Sequence, residues 1–339
     1  MKIVIDKDIP FIEGRLEGDW DVVYCAGGDI NHELVKDAEA LIVRTRTRCN
    51  ESLLKDSKVK FIGTATIGTD HIDMTWCKDN GITVSSAPGC NAPGVAQYVF
   101  SSLFLSGFDC SRHVLGIIGY GNVGGLVGKW ASEMGITTLI CDPPRAESGY
   151  DDPAYSSMEK VLKESDAITL HVPLTETGKY ATRRLIMAKE METMKKGAIL
   201  INSSRGGVVD EEALKVRLMN KDLRAITDVW ENEPQIDPSL LELSCIATPH
   251  IAGYSFEGKK RGTRMVLESL GNFFGFRINI DDLRESEDAS SVKITKELIE
   301  KSYNPVSDSE RLKKAPLSFE KFRNEYNFRH EPAYSILKI

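Results

Sequence analysis

Three residues of this 339-residue chain have the types and settings to move a hydride and a proton. Arg205 stands in Asn202-Ser203-Ser204-Arg205-Gly206-Gly207. Glu233 stands in Asp228-Val229-Trp230-Glu231-Asn232-Glu233-Pro234, and His250 in Thr248-Pro249-His250-Ile251-Ala252-Gly253-Tyr254. Oxidising an alcohol requires removal of its hydroxyl proton as hydride leaves the carbon. Histidine takes such a proton near neutral pH, because its unperturbed pKa is about 6.5. A carboxylate on the other ring nitrogen fixes the tautomer and stabilises the imidazolium, which suits Glu233. Arginine grips a substrate carboxylate through two parallel hydrogen bonds and polarises the reacting oxygen, which suits Arg205. Each residue alone also has an ordinary structural reading. A histidine after proline is usually structural or on the surface, Glu233 could start a helix, and Arg205 could clamp a phosphate or backbone. Taken together they point to chemistry, since each stretch follows a predicted strand of one α/β unit. Ligands of open α/β sheets bind beyond the carboxyl ends of the strands.

A cofactor to accept the hydride is implied by Gly119-Tyr120-Gly121-Asn122-Val123-Gly124, which fits G-x-G-x-x-G. Alone, that match is weak. Here it follows the apolar run Val114–Ile118 and precedes a helical pattern. Gly119 allows the tight turn, Gly121 lets a pyrophosphate approach the backbone, and Gly124 lets helix and strand pack closely. The free N–H groups at the helix start, from Asn122 and Val123 onward, face the negative charge. Asp142 ends the next predicted strand, about 20 residues on, where a carboxylate accepts hydrogen bonds from the adenosine ribose and repels the extra phosphate of NADP. Arg145 follows closely, but Asp142 holds the deciding position, so NAD is the expected cofactor. No metal is expected.

The elements that must position these groups read as alternating strands and helices. Strands are predicted at Ile3–Ile5, Val22–Tyr24, Leu41–Val43, Phe61–Gly63 and Thr83–Ser85. After a helix at Ala92–Phe104, more follow at Val114–Ile118, Thr138–Cys141, Ala167–His171, Ala198–Asn202, Ala225–Thr227 and Cys245–Ala247. Ser156-x-x-Glu159 reads as a capping box and Asp210 as a helix cap. A long helix is predicted near Phe256–Phe274. The alternation implies an α/β fold of two doubly wound parallel-sheet units: a flavodoxin-like substrate domain and a Rossmann NAD domain. A small C-terminal α+β domain follows them. The expected boundaries are 1–92 with 250–280 for the discontinuous substrate domain, 93–249 for the NAD domain, and 281–339 for the appended one. The last reads as folded because Phe319, Phe322, Tyr326, Phe328 and Tyr334 need burial.

Composition narrows the partners. The net charge is −7, from 43 basic and 50 acidic residues, which argues against general nucleic-acid binding. The 7 cysteines include no C-x-x-C pair and are odd in number, so reduced thiols are expected. The chain enters a strand directly from Met1, with no signal-like apolar segment. Tyr98–Phe108 is too short and serine-rich to span a bilayer. A cytoplasmic protein without membrane partners is expected. After Leu41–Val43, arginines at 44, 46 and 48 alternate with Thr45, Thr47 and Cys49. If the extended conformation continues they share one face, a cationic stripe suited to a substrate phosphate. Arg44 is the candidate for that contact, while Arg46 and Arg48 read as surface residues.

These stretches together resemble the D-isomer-specific 2-hydroxy acid dehydrogenases. Within that superfamily, the likeness narrows to the erythronate-4-phosphate dehydrogenase branch through four stretches. They are Lys60-Phe61-Ile62-Gly63-Thr64-Ala65-Thr66-Ile67-Gly68-Thr69-Asp70-His71-Ile72-Asp73, Ala87-Pro88-Gly89-Cys90-Asn91-Ala92, Cys141-Asp142-Pro143-Pro144-Arg145-Ala146 and the run from His250 to Lys259. The resemblance implies oxidation of 4-phospho-D-erythronate to 2-oxo-3-hydroxy-4-phosphobutanoate with NAD, on the route to pyridoxal phosphate. It implies Arg205 and Glu233 as active-site residues and His250 as the proton donor. Asp142, Asp228 and Gly253 would contact NAD, with Ser203 and Ser204 on the same side. Thr45, Thr66 and Tyr254 would contact substrate. Position 172 is valine where threonine is common, so the resemblance implies a backbone contact from Val172 to the cofactor. The appended domain would form a homodimer. The rival readings are another enzyme of the superfamily, such as a 3-phosphoglycerate dehydrogenase, and an NAD-sensing co-repressor-like binding protein.

Overall fold

The structure, a computed structural model, describes residues 1–16, 20–149, 154–285 and 292–333. Tyr334, one of the aromatics expected to need burial, lies outside the described residues. The chain divides into two compact units, Met1–Asn91 with Ser255–Glu287, and Ala92–Tyr254 with Asp288–Ile339.

In the first unit, β1 (Lys2–Asp6), β2 (Asp21–Cys25), β3 (Ala40–Val43), β4 (Phe61–Thr64) and β5 (Thr83–Ser85) form one parallel sheet in the order β2-β1-β3-β4-β5. That is the flavodoxin-like order. All residues of β3 and β4 are buried, as strands covered on both faces require. The helix Phe256–Phe274 packs on β4. Gly63 makes room for it, because a Cβ there would stand 2.7 Å from Val266 Cγ1. Ser255 caps the helix start through Gly258 N–H, and Gly275 closes its end at φ +78°.

In the second unit, the strands are β6 (Val114–Ile118), β7 (Thr137–Cys141), β8 (Ala167–Leu170), β9 (Ala198–Asn202), β10 (Leu223–Thr227) and β11 (Ile246–Ala247). They form a parallel sheet in the order β11-β10-β9-β8-β6-β7. A parallel bridge between Ile140 and Tyr155 lies beyond β7. The chain leaves β6 for β7 on one side and then crosses to β8 on the other, so a crevice opens at the carboxyl ends of β6 and β8. Leu115 and Ile117 pack into a core with Val127, Trp130 and Phe100, while Ile118, Ile168 and Leu170 face a second core with Val161 and Met191.

The C-terminal stretch differs from the separate α+β domain expected at 281–339. Among its described residues the named elements are helical, including Lys296–Ser302, Pro305–Lys314 and Phe319–Asn324, with no named strand. Ile294, Leu298 and Ile299 belong to one core of the second unit, and Leu312 and Phe319 to the other. A segment so rich in charge has too few apolar side chains for a core of its own, so it uses its neighbour's. The chain re-enters the first unit at Ser255 instead of 250, which keeps the whole His250 loop in the second unit. The helix Met158–Glu164 is capped by Ser157, not Ser156. Ser156 is still extended, its N–H donating to Ile140 O at 2.7 Å. Asp210 caps its helix through Ala213 N–H, as its position implied. All seven cysteines are free thiols. Among the described residues, no helix is long and apolar enough to cross a membrane.

Ile299 is fully buried, so Ile299→Ala is expected to cost about 2–5 kcal/mol. Hydrogen exchange of the β6 amides reads the loss. It appears there if the C-terminal helices and the second sheet unfold as one unit, and is absent if they unfold separately.

Candidate active site

The loop after β10 and the loop after β11 bring the two predicted proton-transfer residues together. His250 Nδ1 lies 2.8 Å from Glu233 Oε2. An ionised carboxylate only accepts, so Nδ1 carries the proton and Nε2 is left to take one. Glu233 Oε1 accepts Trp230 N–H at 3.0 Å, which fixes the carboxylate in its own turn. Burial pushes the Glu233 carboxyl up, but the charge and hydrogen bond of His250, Trp230 N–H and Arg323 together hold it below its ordinary value.

His250 sits at φ +58°, in the left-handed region, and is held there by Asp228. Its N–H donates to Asp228 O at 2.8 Å. The Asp228 carboxylate accepts Ile251 N–H at 2.8 Å, Ala252 N–H at 3.0 Å and the Thr248 hydroxyl at 2.6 Å. Asp228, a residue expected at the cofactor, is 1% exposed and its carboxylate braces the His250 loop. Burial raises its carboxyl above the ordinary range, against the opposing pull of His250 and these donors. Gly253 lies in the turn closed by Tyr254 N–H to Ile251 O at 2.9 Å.

Arg205 follows β9. Asn202 shapes this turn: its Nδ2 donates to Arg205 O at 3.0 Å, and its Oδ1 accepts from the Ser204 N–H and hydroxyl. Ser204 is thereby used in the turn, whereas Ser203 Oγ is buried without a hydrogen-bond partner. Gly206 is obligatory, because a Cβ there would collide with Trp230 O.

The glycine turn after β6 fits a dinucleotide. Gly119 has φ +88°, and a Cβ on it would stand 2.6 Å from His171 O and 2.8 Å from Val172 Cγ1. The turn is therefore lined by the His171 backbone and the Val172 side chain. A Cβ on Gly124 would strike Gly119 O, while one on Gly121 would meet nothing within 4 Å. Gly121 is the open face that a pyrophosphate needs, at the start of the helix Asn122–Glu133. Asp142 Oδ2 accepts Tyr120 N–H at 2.7 Å and Oδ1 accepts Arg145 N–H at 3.1 Å. Each oxygen keeps a lone pair for a ribose hydroxyl.

In the first unit the expected arginine stripe does not form. The strand ends at Val43 and the chain turns, with Thr47 N–H donating to Arg44 O at 3.2 Å and the Thr47 hydroxyl to Gly27 O at 2.8 Å. Arg44 pairs with Asp6 at 3.1 Å and Asp8 at 3.3 Å, so its charge is already matched within this unit. Thr45 is exposed. Thr66 Oγ1 donates to Gly68 O at 3.0 Å and lies 2.7 Å from Thr64 Oγ1, which is 3.1 Å from His71 Nε2. Burial lowers the His71 pKa, so this small network is held around a neutral ring.

Residues 95–252 match the family model described as D-isomer specific 2-hydroxyacid dehydrogenase, NAD binding domain. Over 348 residues and 99% of both chains, the sequence is 44% identical to an erythronate-4-phosphate dehydrogenase of Bacteroides fragilis. It is 40% identical to one from Escherichia coli over 349 residues, covering 98% of this chain and 92% of that one. The chain belongs to the erythronate-4-phosphate dehydrogenase family. Among solved structures, the D-lactate dehydrogenase of Aquifex aeolicus, complexed with NAD and lactic acid, is similar with a TM-score of 0.68 at 26% identity, over 81% of this chain and 96% of that one. A cofactor-bound 3-phosphoglycerate dehydrogenase of Entamoeba histolytica gives a TM-score of 0.67 at 27% identity, over 81% and 95%.

This erythronate-4-phosphate dehydrogenase homologue also has site residues that sequence reasoning missed. Arg323 lies 3.6 Å from Glu233 Oε2, and its Nε donates to Tyr254 OH at 3.2 Å. Arg329 donates to Ile251 O at 3.1 Å, Gly94 O at 3.0 Å and Gln97 Oε1 at 2.9 Å, with its guanidinium 4.1 Å from the Tyr303 ring centre. Neither arginine stands in a motif, and the only signal was the surrounding aromatic residues. Glu211 accepts Glu231 N–H at 2.7 Å. Burial pushes its carboxyl up to about 7, against that hydrogen bond and with help from Glu231, Asp237 and Glu233.

Two outcomes follow from this geometry. Asp142→Ala is expected to weaken NAD binding and relax rejection of NADP. Fluorescence titration with both cofactors checks this, and an unchanged preference would remove Asp142 from that role. For Glu211, the folded chain keeps a proton that the unfolded chain releases between the ordinary carboxylate range and about pH 7, so ionisation lowers stability as pH rises through that window. Glu211→Gln should therefore flatten that fall, gaining stability over the native protein at pH 7.5 relative to pH 5 in urea denaturation.

Proposed function

We propose that this protein oxidises 4-phospho-D-erythronate to 2-oxo-3-hydroxy-4-phosphobutanoate with NAD, in the biosynthesis of pyridoxal phosphate. The observation that carries the reading is the His250–Glu233 hydrogen bond of 2.8 Å at the strand ends. It supports an imidazole whose free nitrogen accepts the proton of the substrate C2 hydroxyl. Glu233 then stabilises the imidazolium, and Arg205 holds the substrate carboxylate. When bound, NAD would supply the hydride acceptor, and loss of a hydride and a proton would turn the C2 alcohol into a ketone. The phosphorylated four-carbon acid is favoured over 3-phosphoglycerate by the 40–44% full-length identity to erythronate-4-phosphate dehydrogenases, against 27% to the phosphoglycerate enzyme.

The finer expectations of a homodimer and a cytoplasmic location belong to the same reading. Leu317, at 104% exposure on the C-terminal segment, is an apolar side chain that a second subunit would cover.

His250→Ala is expected to lower turnover by roughly 10²–10⁴-fold with NAD binding nearly intact. NADH formation from 4-phosphoerythronate, 3-phosphoglycerate, glycerate and lactate, with a 2-oxo acid present to recycle cofactor, tests the substrate. Selective turnover of 4-phosphoerythronate supports the proposal, and preference for another acid overturns it.

A further inference from the structure

The Glu233–His250 pair has an electrostatic difficulty. To accept a proton, His250 must be neutral, yet two carboxylates face it. Glu233 lies against Nδ1, and the Asp228 carboxylate, at the end of β10, also acts on the ring. Glu211, at the start of the helix Glu211–Met219, is itself pushed towards its protonated form by burial and by its acidic neighbours, Glu233 among them. Tyr254, in the same loop as His250, is neutral in its ordinary state. Carboxylates gathered around an imidazole stabilise imidazolium, which has no lone pair to offer.

We propose that Arg323 is a positioning residue that shares the charge of Glu233 and so keeps His250 in its proton-accepting form. The inference rests on the reading that His250 takes the substrate proton. Arg323 Nη1 approaches Glu233 Oε2, the same oxygen that His250 engages, so cation and ring compete for one atom. The side chain is 24% exposed, which limits screening by solvent. Its aim is fixed from both ends. Phe319, at 1% exposure, anchors the short helix one turn before Arg323 and on the same face. Tyr254 OH accepts from Arg323 Nε, which ties the C-terminal segment to the His250 loop. Arg323 is also among the groups that hold the Glu233 carboxyl down. Arg329 has a different part. It donates to the carbonyls of Ile251 and Ala252, and so braces the loop without touching Glu233.

The test compares Arg323→Met, Arg323→Lys and Arg329→Met with the native protein in two measurements. In the pH dependence of kcat/KM for 4-phosphoerythronate oxidation, Arg323→Met should move the acid limb to higher pH by roughly half a unit or more. Activity should recover above the limb, and Arg323→Lys should return the limb towards its native position. Arg329→Met should lower the rate without moving the limb. In the free protein, the NMR titration of the His250 ring, assigned with His250→Asn, should shift in the same direction in Arg323→Met. An unmoved limb and an unmoved ring titration in folded Arg323→Met would overturn the proposal. Should that variant fail to fold, Arg323→Gln, which keeps a polar end for Tyr254, serves in its place. Absence of turnover by the native protein would overturn the proposed function instead, and the ring titration would still decide the role of Arg323.

Discussion

A buried carboxylate holds the catalytic loop in shape. Asp228 directly follows β10 with its side chain turned into the protein, and its two oxygens take three donors from Thr248, Ile251 and Ala252. Burying such a group without partners would be prohibitive, so the loop must wrap around it. The wrapping places His250 at positive φ, a conformation that needs support from its surroundings. Thr248 extends the network, since its hydroxyl also lies 2.8 Å from Tyr98 OH and its carbonyl accepts Trp230 Nε1–H at 3.0 Å. The same turn that carries Glu233 is thus tied to the loop that carries His250.

Asp228 and Glu233 show how two carboxylates near one imidazole are driven apart. Burial raises both. Glu233 gains a direct ionic hydrogen bond and a guanidinium, and ends below its ordinary value. Asp228 is bonded to neutral donors and ends above. Charge-assisted partners outweigh desolvation, while neutral ones do not fully offset it. One carboxylate is therefore kept as an anion to serve the histidine, and the other as a scaffold.

The C-terminal segment takes part in this arrangement. Its apolar residues complete both cores of the second unit, and its arginines meet the active-site loops at Glu233, Tyr254, Ile251 and Ala252. Gln97 joins it to the helix Ala92–Leu105 by donating to Ser302 Oγ and His330 O. Packing and catalysis are coupled here, because moving the segment would disturb the groups that brace the proton-transfer pair.

Much of the fold and site was legible in the residues themselves. Strand periods, the glycine turn with Asp142, and the stretches around Arg205, Glu233 and His250 are local patterns with local causes. A Cβ at Gly124 would strike Gly119 O whatever the rest of the chain does, and Asp210 caps its own helix. Direction and partnership were decided only by tertiary structure. The ion pairs of Arg44 with Asp6 and Asp8, distant in sequence, were not legible locally. That Asp228 braces the His250 loop is visible only in the fold, because its donors come from Thr248, Ile251 and Ala252. Arg323 and Arg329 stood in no motif and had only aromatic neighbours to mark them, because a guanidinium is ordinary until the chain brings it against a buried carboxylate or a set of carbonyls. Local sequence determines backbone preference over a few residues, whereas pairing and desolvation of charge depend on residues far apart in the chain, which only the folded structure brings together.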